Sequence, residues 1–454
     1  MRQKVKNLIN YLYKRPELVF VLIALPVGLF SAFFVPQMSI TDENSHLLRI
    51  YQITQKEFVC DDKYAYPDNI VEKSKSGNNG NRTYTLDFSD GDSTEKTNFN
   101  CGSAASYSPL AYVPQSLGMM ISNLVLPSSA TAVLFARIAN LLFYVIALYW
   151  LIKKVKAGKY VFFVIALVPQ MIHLAASLSA DSINNILILS IAAITLNLFT
   201  QKHKITKSQV ALLFLMAVSA ALLKKNVILM FIPLVFLPSS LFYGKNRVGF
   251  NARKWLFAGV SALLFVVVFV AWTALSQVSE GSNTTAMNPL QSSPHYFINV
   301  LFNTYLSDYG DLVLRGTIGE FSSFLYHFPT ILIFVQIIIL LIAFLQRPIK
   351  ALGVVVDNKW LVISSTFTFL LSIIAITYGM YTQWSILRGI TEYADGVQGR
   401  YFTALSVLLI PLFAWIGKYL YVKVKTDKLL FGILAIGQII MLSFYILYTI
   451  KAIN

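Results

Sequence analysis

Apolar runs of membrane-spanning length alternate with short polar breaks along almost the whole chain. About eleven are legible, at 18–36, 130–152, 160–177, 182–200, 208–223, 227–243, 255–276, 326–345, 360–380, 399–417 and 429–450. Crossing a hydrocarbon core takes roughly 20 apolar residues in a helix. Backbone polar groups in lipid must be satisfied within the segment, so these runs predict helices. The pattern predicts an all-α integral membrane protein forming a single polytopic domain over 1–454.

Three polar breaks are longer than the rest. The first opens after Pro36, and with the interfacial helices that follow it forms an expected extracytoplasmic loop over 37–129. Thr41 is expected to cap a short helix there, with Asp42 and Glu43 in its first turn, where the macrodipole favours anions. Leu47, Leu48, Tyr51 and Ile53 give that helix an apolar side, which predicts a place in the membrane interface. Turn signals at Gly77-Asn78-Asn79-Gly80 and Asp90-Gly91-Asp92 bracket an expected hairpin around Tyr84, Leu86 and Phe88. The apolar stretch after Pro109 and Pro114 is expected to be an interfacial or re-entrant helix. A second outer loop covers 277–325 and a third 381–398.

Composition agrees: 56% of residues are hydrophobic, 13% charged, and mean hydropathy is +0.63. Charge sets the expected orientation. With the N-terminus in the cytoplasm, 23 of 37 basic residues fall on inner segments with only Glu17, Asp357 and Asp427 against them. That is the bias of the positive-inside rule, and it predicts a multi-pass cell-membrane protein with an extracytoplasmic C-terminus. It also accounts for the net charge of +16, which is spread over short inner loops and gives no reason to expect nucleic acid. The first apolar run is too long for a signal-peptide core and is expected to stay as a helix. Cys60 and Cys101 share the outer loop, where oxidation is permitted, and predict one disulfide; two free thiols are the alternative. Asn81-Arg82-Thr83 and Asn283-Thr284-Thr285 fit the N-glycosylation pattern, a short signal that depends on the host.

Candidate chemistry gathers in one layer. Asp42, Glu43, His46, Arg137, Asp181, Lys224, Lys225 and Arg400 all fall at the outer ends of predicted helices, whereas the helix midpoints hold almost no charge. Ionisable groups at membrane depth are costly and usually functional. The cations suit a phosphate, and a carboxylate can act as general base on a hydroxyl. Plainer readings stand beside this. Asp42 and Glu43 can be helix-start residues, His46 a polar surface group, Asp181 a cap, and Lys224 and Lys225 snorkelling cations. No P-loop, zinc spacing or nucleophile elbow occurs, so no metal site is expected from the sequence motifs.

Several strings together resemble a family of bacterial polytopic membrane proteins catalogued as domain of unknown function 2142. Thr41-Asp42-Glu43-Asn44-Ser45-His46 is similar to its P-D-E-x-x-H, and Tyr107 to Gln115 to its Y-x-P-x-x-Y-x-P. Ala136-Arg137 with Asn140 matches A-R-x-x-N. Pro169-Gln170-Met171 with Ser177 and Asp181 resembles P-x-M and S-x-D, and Gly396-Val397-Gln398-Gly399-Arg400-Tyr401-Phe402 resembles G-x-Q-G-R-Y-F. Thr41 replaces the usual Pro, and Gly319-Glu320-Phe321 matches the second outer loop poorly. The family plan in turn resembles the GT-C glycosyltransferases. That resemblance implies a transferase using a polyprenyl-phosphate-linked sugar on the outer face to modify an envelope glycan or lipid acceptor. Asp42 would be the base, and Glu43 would assist or hold a divalent cation. Arg137, Lys224, Lys225 and Arg400 would hold phosphate, Tyr107 and Tyr112 would stack on sugar, and His46, Asp181, Gln398 and Tyr401 would line the substrate. The alternatives are a transporter or flippase of lipid-linked saccharide, or a non-catalytic envelope assembly partner.

Overall fold

The computed structural model describes residues 2–60, 64–75, 96–98, 104, 107–242, 252–276, 295–322, 326–346, 355, 357–420 and 426–453. All eleven apolar stretches carry helix, but among the described residues only six helices are long and apolar enough to cross a membrane. These are Pro16–Phe34, Ser129–Lys154, Asp181–Phe199, Arg253–Leu275, Lys359–Arg388 and Asp427–Ala452. The protein is thus an all-α membrane protein. The other five stretches are shorter or interrupted, for local reasons. Pro169 forces Val168 into an extended conformation (ψ 131°), so the stretch at 160–177 is two helices, Lys159–Ala166 and Pro169–Ala175. Thr330–Phe344 has 15 residues, about 22 Å of helix against the ~30 Å hydrocarbon core. The stretch at 227–243 is mostly 3-10 turns, and Arg400–Ile416 changes helix type before Pro411.

Burial separates centre from periphery. Asp181–Phe199 is 78% buried, whereas Arg253–Leu275 is only 11% buried and turns most of its apolar surface outward. Glycines set the closest helix approaches. A Cβ on Gly28 would stand 2.3 Å from Leu141 Cδ1, and one on Gly118 would stand 2.3 Å from the Phe135 carbonyl oxygen. The second approach places helix Val113–Val125 alongside the start of Ser129–Lys154. Leu117, Met120, Ile121 and Leu124 remain exposed on its far side.

Two small antiparallel strand pairs occur among the described residues. Ala65–Pro67 pairs with Lys96–Asn98, and Glu320–Ser322 with Tyr326–His327. The expected hairpin at 84–88 and Cys101 lie outside the described residues, so the Cys60–Cys101 pairing does too.

Two local expectations are corrected. Thr41 does not cap the helix that follows it. That helix is Glu43–Thr54, and its N-cap is Asp42, in the left-handed region (φ 64°, ψ 6°) with no side-chain cap hydrogen bond. Nor does the helix lay an apolar face on lipid. Leu47, Leu48 and Ile50 are buried because helices Asp68–Lys75 and Val113–Val125 pack over them. Arg49, also fully buried, donates to Gln52 Oε1 and to the carbonyls of Glu57 and Phe58, which ties down the chain that follows.

Candidate functional site

Arg137 gathers backbone carbonyls at and just beyond the end of helix Pro16–Phe34. Its Nη1 donates to Ala32 O (3.3 Å) and Val35 O (2.7 Å), and its Nη2 to Pro36 O (3.1 Å). The same guanidinium grips Glu43 in a fork, Nε to Oε1 at 2.8 Å and Nη2 to Oε2 at 2.6 Å, with both side chains fully buried. Glu43 also accepts from Met38 N (2.9 Å) and Leu178 N (3.3 Å). Four donors on one carboxylate leave it no room to take a proton from a substrate or to hold a metal. Glu43 and Arg137 are therefore an internal clamp. It fixes the turn at 36–42 and the turn at 178 to one helix.

The clamp sets the direction of Asp42. A non-glycine residue in the left-handed region costs about 1–2 kcal/mol, and Asp tolerates it better than most. Its effect here is to send neighbouring side chains apart, Glu43 inward to Arg137 and Asp42 outward. Asp42 Oδ2 accepts from Arg400 Nη2 at 2.6 Å, and its side chain is 43% exposed. Arg400 Nε lies 3.2 Å from Asp181 Oδ2, out of line for a hydrogen bond. Asp181 Oδ1 accepts from Lys224 Nζ at 2.5 Å, and that ammonium sits 4.2 Å from the centre of the Tyr401 ring. Four charges therefore alternate, Asp42, Arg400, Asp181 and Lys224, and they are most accessible at Asp42.

Each member is held by nearby backbone. Asn140 Nδ2 donates to Ser177 O (2.8 Å) and Gln115 Nε2 to Ser179 O (3.2 Å). Ser179 Oγ accepts from Asp181 N (3.1 Å), so the turn before Asp181 is rigidly placed. Arg400 follows Gly399, where a Cβ would stand 2.0 Å from Val313 O and 2.3 Å from Thr317 N. Only glycine lets this segment lie against the end of helix Asp308–Gly316. Beside the charges stand three rings. His46 Nδ1 is 2.7 Å from Tyr112 Oη, and the Tyr107 ring meets Tyr112 edge-on at 6.2 Å. Burial lowers the His46 imidazole below its usual range, against the pull of Asp42 and Asp181. Burial likewise raises the Tyr107 hydroxyl to about 12, opposed by Lys224. For Lys224 burial acts downward, but Asp181 and the tyrosines outweigh it and hold the ammonium above its usual value.

Of the residues expected from the sequence, Asp42, His46, Tyr107, Tyr112, Asp181, Lys224, Arg400 and Tyr401 meet in this cluster. Arg137 and Glu43 lie behind it, consumed by each other. Lys225 is exposed and turns away, its ammonium 5.4 Å over Phe269. Gln398 is half-buried near Arg400, and its Oε1 has no partner among the described residues. No three His, Cys, Asp or Glu side chains converge as a metal site among the described residues. Asp42 and Asp181, both facing Arg400, do not fit one either.

One carboxylate was noted in the sequence but given no role there. Glu320 is half-buried, and its Oε2 lies 3.1 Å from where a Cβ on Gly316 would stand, close enough for the Arg400 charge to act on it. Burial raises it above the usual carboxylate range, with His327, Arg400 and Arg315 opposing. The signal available was its place in the polar segment expected to share a layer with Arg137, Lys224 and Arg400.

No curated protein and no solved structure matches the chain at a significant level. A family match covers residues 25–409, which holds the clamp, the charge chain and the Gly399–Arg400 segment. The chain belongs to the DUF2142 family of predicted membrane proteins.

Proposed function

We propose that the protein transfers a sugar from a polyprenyl phosphate carrier to an envelope glycan or lipid on the outer face of the membrane, with Asp42 as general base. One observation carries the reading. A half-exposed carboxylate is held in a strained backbone conformation at the open end of a buried Arg–Asp–Lys chain. Strained non-glycine backbone persists where the surroundings over-determine it, and such places are often functional.

The cluster is electrically balanced in the absence of substrate, two carboxylates against two cations. Donor phosphate therefore binds by exchange. Arg400 and Lys224 turn toward the phosphate, which suits a guanidinium fork and a point-charge ammonium. Asp42 is then released from Arg400 and free to face an acceptor hydroxyl. In the transfer step, Asp42 takes the proton from an acceptor hydroxyl as the hydroxyl oxygen bonds to the anomeric carbon. The bond from that carbon to the phosphate oxygen breaks, and polyprenyl phosphate remains on Arg400 and Lys224. Tyr107 offers a ring face for sugar, whereas Tyr112 is fully buried and, with His46 on its hydroxyl, packs behind Tyr107 instead of stacking on sugar as expected. The outer location and the orientation with the N-terminus inside rest on the basic-residue bias. The eleven-span reading counts the five shorter or interrupted helical stretches beside the six long ones, and the GT-C-like reading rests on the long first loop and the carboxylate that follows the first long helix.

The test separates binding from chemistry. Purified protein in detergent is titrated with a polyprenyl-phosphate-linked sugar. Lys224→Gln should weaken donor binding about tenfold or more, since a charge-assisted contact contributes about 1.5–3 kcal/mol. Asp42→Asn should bind donor at least as well as the parent, because it frees Arg400. Unchanged binding by Lys224→Gln would overturn the phosphate site.

A further inference from the structure

A second site lies at the opposite end of the molecule from the charge chain. Helix Asp181–Phe199 starts at Asp181 in the cluster and ends near Gln201, and the chain then enters helix Lys207–Leu222. Between that helix and Ala252–Leu275 is a cavity of about 650 Å³. Lys204, Lys207 and Arg253 stand at its rim, and no acidic residue lines it among the described residues. Its interior is apolar, with Val210, Phe214, Leu241, Phe242, Phe257 and Val260 among the walls. Phe214 and Phe257 stack at 5.5 Å, and Phe242 meets Phe257 at 6.1 Å, so the floor is built from packed rings. Ile205 N donates to Leu241 O (2.9 Å), which fixes the basic segment against the cavity wall.

The two halves of this site ask for different things. The volume falls within the range of ligand pockets, about 300–1,000 Å³. From Lys207 to Phe214 the wall runs about 10 Å into the bilayer, which is acyl-chain depth. The three cations sit where these helices begin, at headgroup depth. Both helices also turn their positive ends to this face. A ligand that satisfies all of it has an anionic head at the rim and hydrocarbon below. Free phosphate would leave the apolar walls uncovered, and a zwitterionic lipid would leave the cations poorly matched.

We infer that this cavity is a binding site for one anionic phospholipid, its phosphate held by Lys204, Lys207 and Arg253 and an acyl chain lying over Phe214 and Phe257. The inference stands independently of the chemistry proposed for Asp42. On the orientation set by the basic residues, the site faces the cytoplasmic leaflet, and it braces the sparsely buried helix Arg253–Leu275 against the rest of the protein.

Native mass spectrometry of the full-length protein in detergent provides the test, with dioleoyl phosphatidylglycerol, dioleoyl phosphatidylcholine and glycerol phosphate as probes. One phosphatidylglycerol should bind at least about tenfold more tightly than phosphatidylcholine. Cations at a membrane surface contribute about fivefold in affinity each. The K204Q/K207Q/R253Q variant should therefore bind phosphatidylglycerol on the order of a hundredfold more weakly. K153Q/K154Q/K156Q, which removes as much charge from another basic segment, should bind as the parent does. Ala211→Trp fills the cavity and keeps the cations, and it should weaken both lipids. Equal affinity for the two lipids would overturn the inference, as would equal losses in the two triple variants. So would glycerol phosphate competing as well as the lipid, or an unaffected Ala211→Trp protein.

Discussion

Glu43→Gln is a change of one oxygen to one nitrogen, and it should be among the most damaging substitutions in the chain. Both carboxylate oxygens accept, Oε1 from Arg137 and Leu178, Oε2 from Arg137 and Met38. A glutamine has one acceptor oxygen, so its NH₂ group must face N–H donors in either orientation. Arg137, fully buried, is left as a charge without a counter-ion. Removing one partner of a buried pair costs about 3–5 kcal/mol. Arg137→Met should cost a similar amount, because Glu43 is stranded and the end of helix Pro16–Phe34 loses its cap. The double variant should be far less damaged than the sum, with a coupling of about 2 kcal/mol or more, since no buried charge remains. Equilibrium unfolding in mixed micelles, followed by circular dichroism, measures all three. Asp357→Asn is the internal control: its partner Lys418 and Asp357 itself are largely exposed, and such pairs contribute about 0–1 kcal/mol. A Glu43→Gln cost no larger than the control, or additive single effects in the cycle, would refute the clamp.

Gly399→Ala should lower thermal stability by an amount typical of overpacking, about 1–3 kcal/mol, because the new methyl meets backbone on the 313–317 segment; a melting temperature equal to the parent's would contradict the close approach. Glu320→Gln should stabilise the protein at neutral pH. Burial raises the folded Glu320 above its unfolded value, so its charged form is a penalty that grows as pH rises through the folded value and is absent below about 4.5. The gain in melting temperature should therefore disappear on acidification, and a gain independent of pH would count against it. His46 has the opposite slope. Its depressed value means that stability falls as pH drops below about 6.5, and His46→Gln should flatten that fall. A cysteine placed at Lys156 should resist an impermeant label in sealed cells, and labelling there would reverse the orientation.

Much of the site was legible because lipid makes charge expensive. Asp42, Asp181, Lys224 and Arg400 stand at helix ends where an unpaired charge would be costly, so their convergence followed from depth alone. The pairing did not follow. Asp42 and Arg400 are 358 residues apart in sequence, and nothing local chooses Arg400 over Arg137 as its partner. The division of labour between Asp42 and Glu43 depended on the left-handed turn at Asp42, which has no sequence marker once Asp rather than Gly occupies it. Every apolar run carries helix, but helices Tyr296–Leu306 and Asp308–Gly316 lie in a segment read as loop, and Pro169 and Pro411 interrupt two of the runs in ways that hydropathy alone does not register. The Glu43–Thr54 helix was misplaced for a related reason. Its apolar side was read as lipid-facing, whereas two neighbouring helices cover it, and amphipathicity alone does not distinguish the two.

The central claim is that Asp42 removes a proton in a transfer step on the outer face. The most direct measurement is the single-turnover release of polyprenyl phosphate from a labelled polyprenyl-phosphate-linked sugar, by protein in liposomes supplied with an envelope glycan fraction. General-base removal costs about 10²–10⁴ in rate. The account predicts that Asp42→Asn loses about a hundredfold or more in the transfer rate while donor binding and melting temperature stay near the parent's. Transfer at the parent's rate by Asp42→Asn, or no transfer by the parent from any such donor, would contradict it.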